Sequence, residues 1–148
     1  MSILPGHHQN VLDAKGRVSL PSVFRRALSE GPFVLLQWKG SRHLTLLTEE
    51  GWANAERKLM EHRRATRDGG RALRALSQRA TSVTVDKQGR IRIPDWLLEL
   101  AELTETVVFI GASDRIELWD PARLAQDTRE ADESDENLEQ DIFSWAER

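Results

Sequence analysis

The chain carries one short phrase twice. Asp13-Ala14-Lys15-Gly16-Arg17 runs into Val18-Ser19-Leu20-Pro21, and Asp86-Lys87-Gln88-Gly89-Arg90 runs into Ile91-Arg92-Ile93-Pro94. Asp, Gly, Arg and Pro recur at a constant offset of 73 residues, with apolar positions matched between them. A recurrence of this size means two copies of one supersecondary unit. It constrains the fold strongly, because a unit of about 40 residues is too small to hold a core alone. The two copies must therefore share one. The match extends beyond the phrase: Phe33-Val34-Leu35-Leu36 corresponds to Val107-Val108-Phe109-Ile110, and Leu44-Thr45-Leu46-Leu47 to Ile116-Glu117-Leu118-Trp119.

Each copy has the same local grammar. Val11-Leu12-Asp13 reads as a strand entering a turn, Gly16 suits a left-handed position, and Val18-Ser19-Leu20 alternates as a strand. Pro21 ends the ladder, since it has no N–H to donate. A short helix over 22–28 follows, with Phe24 and Leu28 on one face. In the second copy Val83-Thr84-Val85 and Ile91-Arg92-Ile93 alternate around Gly89, and Pro94 stops the strand. Asp95 is placed to cap a helix carrying Leu97, Leu98 and Ala101. Strands are predicted at 33–38 and 44–47 around Gly40-Ser41, and at 107–110 and 116–119 around Gly111 and Asp114. Thr48 and Asp120 read as helix N-caps, the second with Pro121 at the first helical position. Trp52, Ala55, Leu59 and Met60 form a helical stripe, broken at Asp68-Gly69-Gly70. Leu73, Leu76 and Ala80 continue a second helical segment. The fold class is mainly β with short helices, α+β.

Charge is divided unevenly. The net charge is −3 over 148 residues, yet residues 1–80 hold 14 Lys and Arg against 7 Asp and Glu, and residues 81–148 hold 7 against 17. This asymmetry predicts a basic surface beside an acidic tail. The chain is divided as a first unit over 3–47, a basic helical connector over 48–80, a second unit over 81–124 and an acidic tail over 125–148. In the tail, Leu138, Ile142 and Trp145 share one potential docking face. There is no Cys, which removes disulfides and thiolate chemistry. No His-Glu-x-x-His, P-loop or dinucleotide glycine pattern points to an enzyme or to a cofactor. His7-His8, without a partner cluster, reads as polar surface rather than metal site. No long apolar run marks a leader or membrane span, and a cytoplasmic protein is the simplest reading.

The segments 12–21 and 85–94 resemble the two signatures of the bacterial MraZ family. Gly111 to Trp119 resembles the segment that follows the second signature, and Gly6 stands seven residues before Asp13 as in the family's first strand. The likeness spans about residues 3–124. It implies an AbrB-like fold, with two swapped-hairpin halves forming one β-barrel plus linking helices. It also implies a ring of several subunits, a nucleoid-associated regulator that binds double-stranded DNA, and action on short G-rich repeats at the division and cell-wall cluster. This chain departs from the family pattern near His8 and Asn10 and in its acidic segment after Asp120.

DNA contact needs cations at fixed spacing, since each neutralised phosphate releases counterions. Lys15 and Arg17 flank Gly16, and Lys87 and Arg90 flank Gly89. An arginine reaches guanine O6 and N7 bidentately. Arg17 and Arg90 are therefore assigned to base-edge or close-groove contact, Lys15 and Lys87 to phosphate, and Arg25 and Arg26 to secondary contact. Asp13 and Asp86 orient the arginines or cap the turns. The plainer reading is that Asp and Arg four apart form only a structural pair. The Arg-rich segment 57–79 similarly reads more readily as a solvated face or an intersubunit surface than as a DNA reader. A separate alternative for the whole chain is an antitoxin-like interaction module that uses its acidic tail.

Overall fold

A computed structural model describes residues 3–28, 31–65, 69–134 and 139–140. The described residues form a mixed α+β fold, rich in sheet. The first half contributes β1 (Ile3–Val11), β2 (Arg17–Ser19), α1 (Ser22–Ala27), β3 (Phe33–Leu36) and β4 (Leu44–Thr48). Two connecting helices follow, α2 (Glu49–Ala65) and α3 (Gly69–Ser77). The second half contributes β5 (Ala80–Val83), β6 (Arg90–Arg92), α4 (Asp95–Ala101), β7 (Thr106–Ser113) and β8 (Arg115–Trp119), and α5 (Pro121–Asp132) ends it.

The two halves interleave. One sheet has the order β1-β7-β8-β4-β3-β5, and β2 pairs with β6 in a separate ribbon. Exchanging each first-half strand for its second-half counterpart turns that order into its own reverse, which is the signature of a pseudo-two-fold axis. Only the β3–β4 and β7–β8 hairpins pair within a half; β1 with β7, β4 with β8, β3 with β5 and β2 with β6 all cross between halves. The main core follows suit, joining Val18, Leu20, Phe24 and Phe33 to Ile91, Ile93, Leu97 and Phe109. A smaller cluster of Leu36, Leu47 and Leu76 sits under α2 and α3. The large sheet keeps β1 and β5 as edges, and no closed barrel is found among the described residues.

Local sequence rules hold at several ends and fail at others. Asp120 caps α5, its Oδ2 accepting from the Ala122 and Arg123 amides at 3.1 Å. Thr48 Oγ1 accepts from the Gly51 amide at 3.0 Å and opens α2. Asp95, by contrast, is the first helical residue rather than the cap. The Pro94 carbonyl receives the Leu97 and Leu98 amides directly, as the Pro21 carbonyl receives those of Phe24 and Arg25. Ala80 opens β5 instead of continuing a helix, because the ladder to β3 claims it opposite Leu36. That ladder stops at Val83, opposite Phe33. Thr84 and Val85 are therefore outside the strand. Gly111 lies within β7, held between Gly6 and Ile116, and the turn falls at Asp114. Gly69 and Gly70 open α3. Met60 is 43% exposed, since it turns about 100° beyond Leu59. Trp96 is also exposed, while Trp119 is buried. Leu138, Ile142 and Trp145 lie outside the described residues.

A polar cluster ties the β4–β8 seam. His43 stacks on Trp119 at 4.5 Å and its Nε2 lies 3.4 Å from Glu117. His43 Nε2 is buried beside this carboxylate. Arg115 Nε and Trp119 Nε1 donate to Glu117 at 3.0 and 3.1 Å. His43 first, and then these two donors, hold the Glu117 carboxyl down at about 2.

Candidate nucleic-acid interface

The two Asp-x-x-x-Arg turns have the same construction. Asp13 Oδ1 accepts from the Lys15 and Arg17 amides, both at 2.9 Å, and its Oδ2 accepts from Arg17 Nε at 2.7 Å. Asp86 Oδ1 accepts from the Gln88 and Arg90 amides at 2.8 and 3.0 Å, and its Oδ2 from Arg90 Nε at 3.0 Å. Each Asp amide also donates to the arginine carbonyl at 2.9 Å, which closes the turn. Gly16 and Gly89 both have φ +79°, a conformation that glycine adopts without Cβ strain.

The electrostatics follow from these bonds. The Arg17 amide first, with the Arg17 guanidinium and the Lys15 amide after it, holds the Asp13 carboxyl below its ordinary value. The Arg90 amide leads for Asp86, followed by the Gln88 amide and the Arg90 guanidinium. Each carboxylate is thus ionised and fully engaged with donors. Each arginine is gripped through Nε, and among the described residues its two Nη groups have no hydrogen-bond partner. About a third of the Arg17 side chain and a quarter of that of Arg90 stay exposed. Such exposed pairs contribute little stability, so their effect is orientation: the guanidinium edge bearing the Nη groups remains available.

Lys15 and Lys87 are exposed on their turns, as are Arg25 and Arg26 on α1. Arg25 is not remote from the second turn. A Cβ added to Gly89 would collide with the Arg25 guanidinium, whereas one added to Gly16 would lie 2.8 Å from the Ile93 carbonyl oxygen and near Leu98. Arg25 and Leu98 occupy corresponding positions, 73 residues apart. Only the second loop therefore has an arginine behind its glycine. An open groove of about 390 Å³ lies beside it, lined by Leu20, Arg25, Phe33, Val85 and Lys87 among others.

The β2–β6 ribbon connects the loops. Arg17 pairs with Arg92, Val18 with Ile91, and Ser19 with Arg90. Val18 and Ile91 are fully buried, which turns Arg17, Ser19, Arg90 and Arg92 to the other face. Arg92 is an exposed cation absent from the sequence-based assignment. The alternation of Ile91-Arg92-Ile93 was the signal that could have found it. The connecting helices offer a second basic surface. Arg71 and Arg74 are exposed, Arg57 bonds Asn54 at 2.7 Å, and Arg79 is spent on the Gln37 and Ala75 carbonyls. The side chains of Arg63 and Arg64, and the whole of Arg67, lie outside the description.

Residues 76–144 match the model of a family described as "MraZ protein, putative antitoxin-like". The transcriptional regulator MraZ of Acetivibrio thermocellus is 39% identical over 133 residues, covering 90% of this chain and 88% of that protein. The chain belongs to the MraZ family. The part matched by the MraZ family model contains the second loop with Lys87 and Arg90, the ribbon residue Arg92, and α4 behind them.

Proposed function

We propose that this MraZ-family chain is a transcriptional regulator that binds double-stranded DNA through its two Gly-Arg loops. The observation that carries the reading is the paired Asp–Arg clamp. A carboxylate consumes one edge of each arginine and points the other outward, beside an exposed lysine. That geometry suits close-groove contact by Arg17 and Arg90, with Lys15 and Lys87 on phosphates. The family relationship supports a regulatory role, and the resemblance in the motifs supports short repeated promoter elements of the division and cell-wall cluster as the target.

Two small loops give modest affinity alone. Assembly into a ring would set several copies against successive DNA repeats and raise avidity through effective concentration. The exchange of strands between halves supports the swapped-hairpin arrangement, with 3–47 and 81–124 as its two units. The reading calls for no cofactor and places the protein in the cytoplasm on the nucleoid. Gel shifts on duplexes carrying the G-rich repeats test it. Arg17→Ala should abolish specific binding while circular dichroism and the oligomer persist; unchanged binding rejects the role.

The family description as antitoxin-like favours a second reading, in which the acidic C-terminal segment holds a protein partner. α5 packs against β7, and its Glu130 bonds Arg42, so a clean test truncates after Ser134. DNA binding that survives truncation supports the first reading, and loss of a co-purifying protein supports the second.

A further inference from the structure

The outward face of the β2–β6 ribbon breaks the symmetry that the rest of the molecule keeps. Leu20 donates to the Gly89 carbonyl at 2.9 Å and Ile93 to the Gly16 carbonyl at 2.8 Å. Those couples are hydrogen-bonded positions of the ladder, and so is Val18 with Ile91 between them. Antiparallel pairing alternates. Arg17 with Arg92, and Ser19 with Arg90, therefore fall at the non-hydrogen-bonded positions, where Cα atoms approach to about 4.5 Å and side chains lie closest. Two arginines thus share the tightest kind of cross-strand site.

The pseudo-two-fold relates Arg17 to Arg90 and Ser19 to Arg92. A symmetric face would carry two arginines or four; this one carries three. Asp13 grips Arg17 and Asp86 grips Arg90, but Arg92 has no ion pair or hydrogen bond among the described residues. Asp95 lines the same shallow recess as Arg92, with Ser82, Thr84 and Trp96, without pairing to it. Like charges directly opposite each other on a ribbon oppose pairing. An anion between them reverses that sign.

We propose that Arg92 and Arg17 together clamp one phosphodiester group of the bound DNA, so that the two motif loops are unequal and the Arg17 end of the ribbon holds the backbone more tightly. This rests on the reading of the Gly-Arg loops as the DNA contact. A phosphate sits between two guanidinium groups as a multidentate acceptor. Arg92 then positions the strand, while one Arg17 Nη group reaches the phosphate and the other faces the groove.

Fluorescence anisotropy on a duplex carrying the repeats, and on one of scrambled sequence, tests the clamp in the full-length protein. Arg92→Ser gives the ribbon the composition of a symmetric face. It should weaken both duplexes alike, by about tenfold, and make the dependence of log affinity on log salt shallower by about one. Arg92→Lys should retain most of the affinity, as a phosphate contact requires. Ser19→Arg should strengthen binding and steepen the salt dependence. Arg92 is exposed, and an unchanged circular dichroism spectrum and unfolding midpoint establish that the fold survives. Unchanged affinity and salt dependence for Arg92→Ser, with binding still abolished by Arg17→Ala, overturn the clamp but keep the site. A loss confined to the specific duplex, not rescued by lysine, also overturns it in favour of base readout. If Arg17→Ala leaves binding intact, the reading of the loops themselves fails.

Discussion

The first and second loops share nearly every bond and differ in what stands behind them. Both have a left-handed glycine, an Asp accepting from two amides, and an arginine held through Nε. Behind Gly16 lie the Ile93 carbonyl and Leu98; behind Gly89 lies the guanidinium end of Arg25. The chain has thus kept the turn and varied its support. Local sequence sets the shape of such a loop, while residues brought from the other half set its charge and its tolerance of change.

Substitution of the glycines tests this most severely. Gly16→Ala forces a Cβ into the left-handed region and against a backbone carbonyl that cannot retreat, and should cost about 2 kcal/mol or more. Gly89→Ala suffers the same backbone strain, but Arg25 can swing away, and the loss should stay near about 1 kcal/mol. Urea unfolding measures both. Equal losses would mean that the two supports are equally rigid.

A site shared by both halves serves as the reference. Glu117 lies on the β4–β8 seam with its pKa lowered from 4.5 to about 2. A carboxyl lowered on folding stabilises above its unfolded value, and that stabilisation is lost as pH falls through the folded value. Wild-type stability should therefore decline between about pH 4.5 and 2. Glu117→Gln should lower stability at pH 7 by about 1–2 kcal/mol and flatten that decline. A pH profile unaltered by the substitution would place the acid sensitivity elsewhere.

The loop carboxyls follow the same sign on a smaller scale. Asp13 and Asp86 are both held below 3.8, so their contribution is complete above that value and disappears in more acid solution. Asp13→Asn or Asp86→Asn should leave the fold intact at neutral pH, yet free the arginine and weaken DNA binding. Binding that is unaffected by both would show that the clamp orients nothing useful. The smallest change in stability belongs to Arg25→Leu, which gives the second loop the backing of the first. Stability should move by less than about 0.5 kcal/mol, while DNA affinity falls a few-fold; an unchanged affinity would remove Arg25 from the interface.

The sequence revealed the parts of this comparison that are local. Glycine after Asp-x-x, Pro after three alternating residues and Asp120-Pro121 each encode their geometry within a few positions. The register of the ribbon is not of that kind. Nothing near Arg17 announces that Arg92 stands opposite, because the partner comes from 75 residues further along the chain. Arg25 behind Gly89 was hidden for the same reason. Ala80 was misread as helical because its apolar spacing fits a helix, whereas the free edge of β3 made it a strand.

The most direct measurement places a photo-crosslinking residue at the position of Lys15, of Lys87 or of Lys58 in the full-length protein, bound to a duplex of the promoter repeats. The account predicts crosslinks to DNA from positions 15 and 87 and none from position 58, on the connecting helix α2. Crosslinks from position 58 alone would contradict it and move the DNA contact to the basic helices.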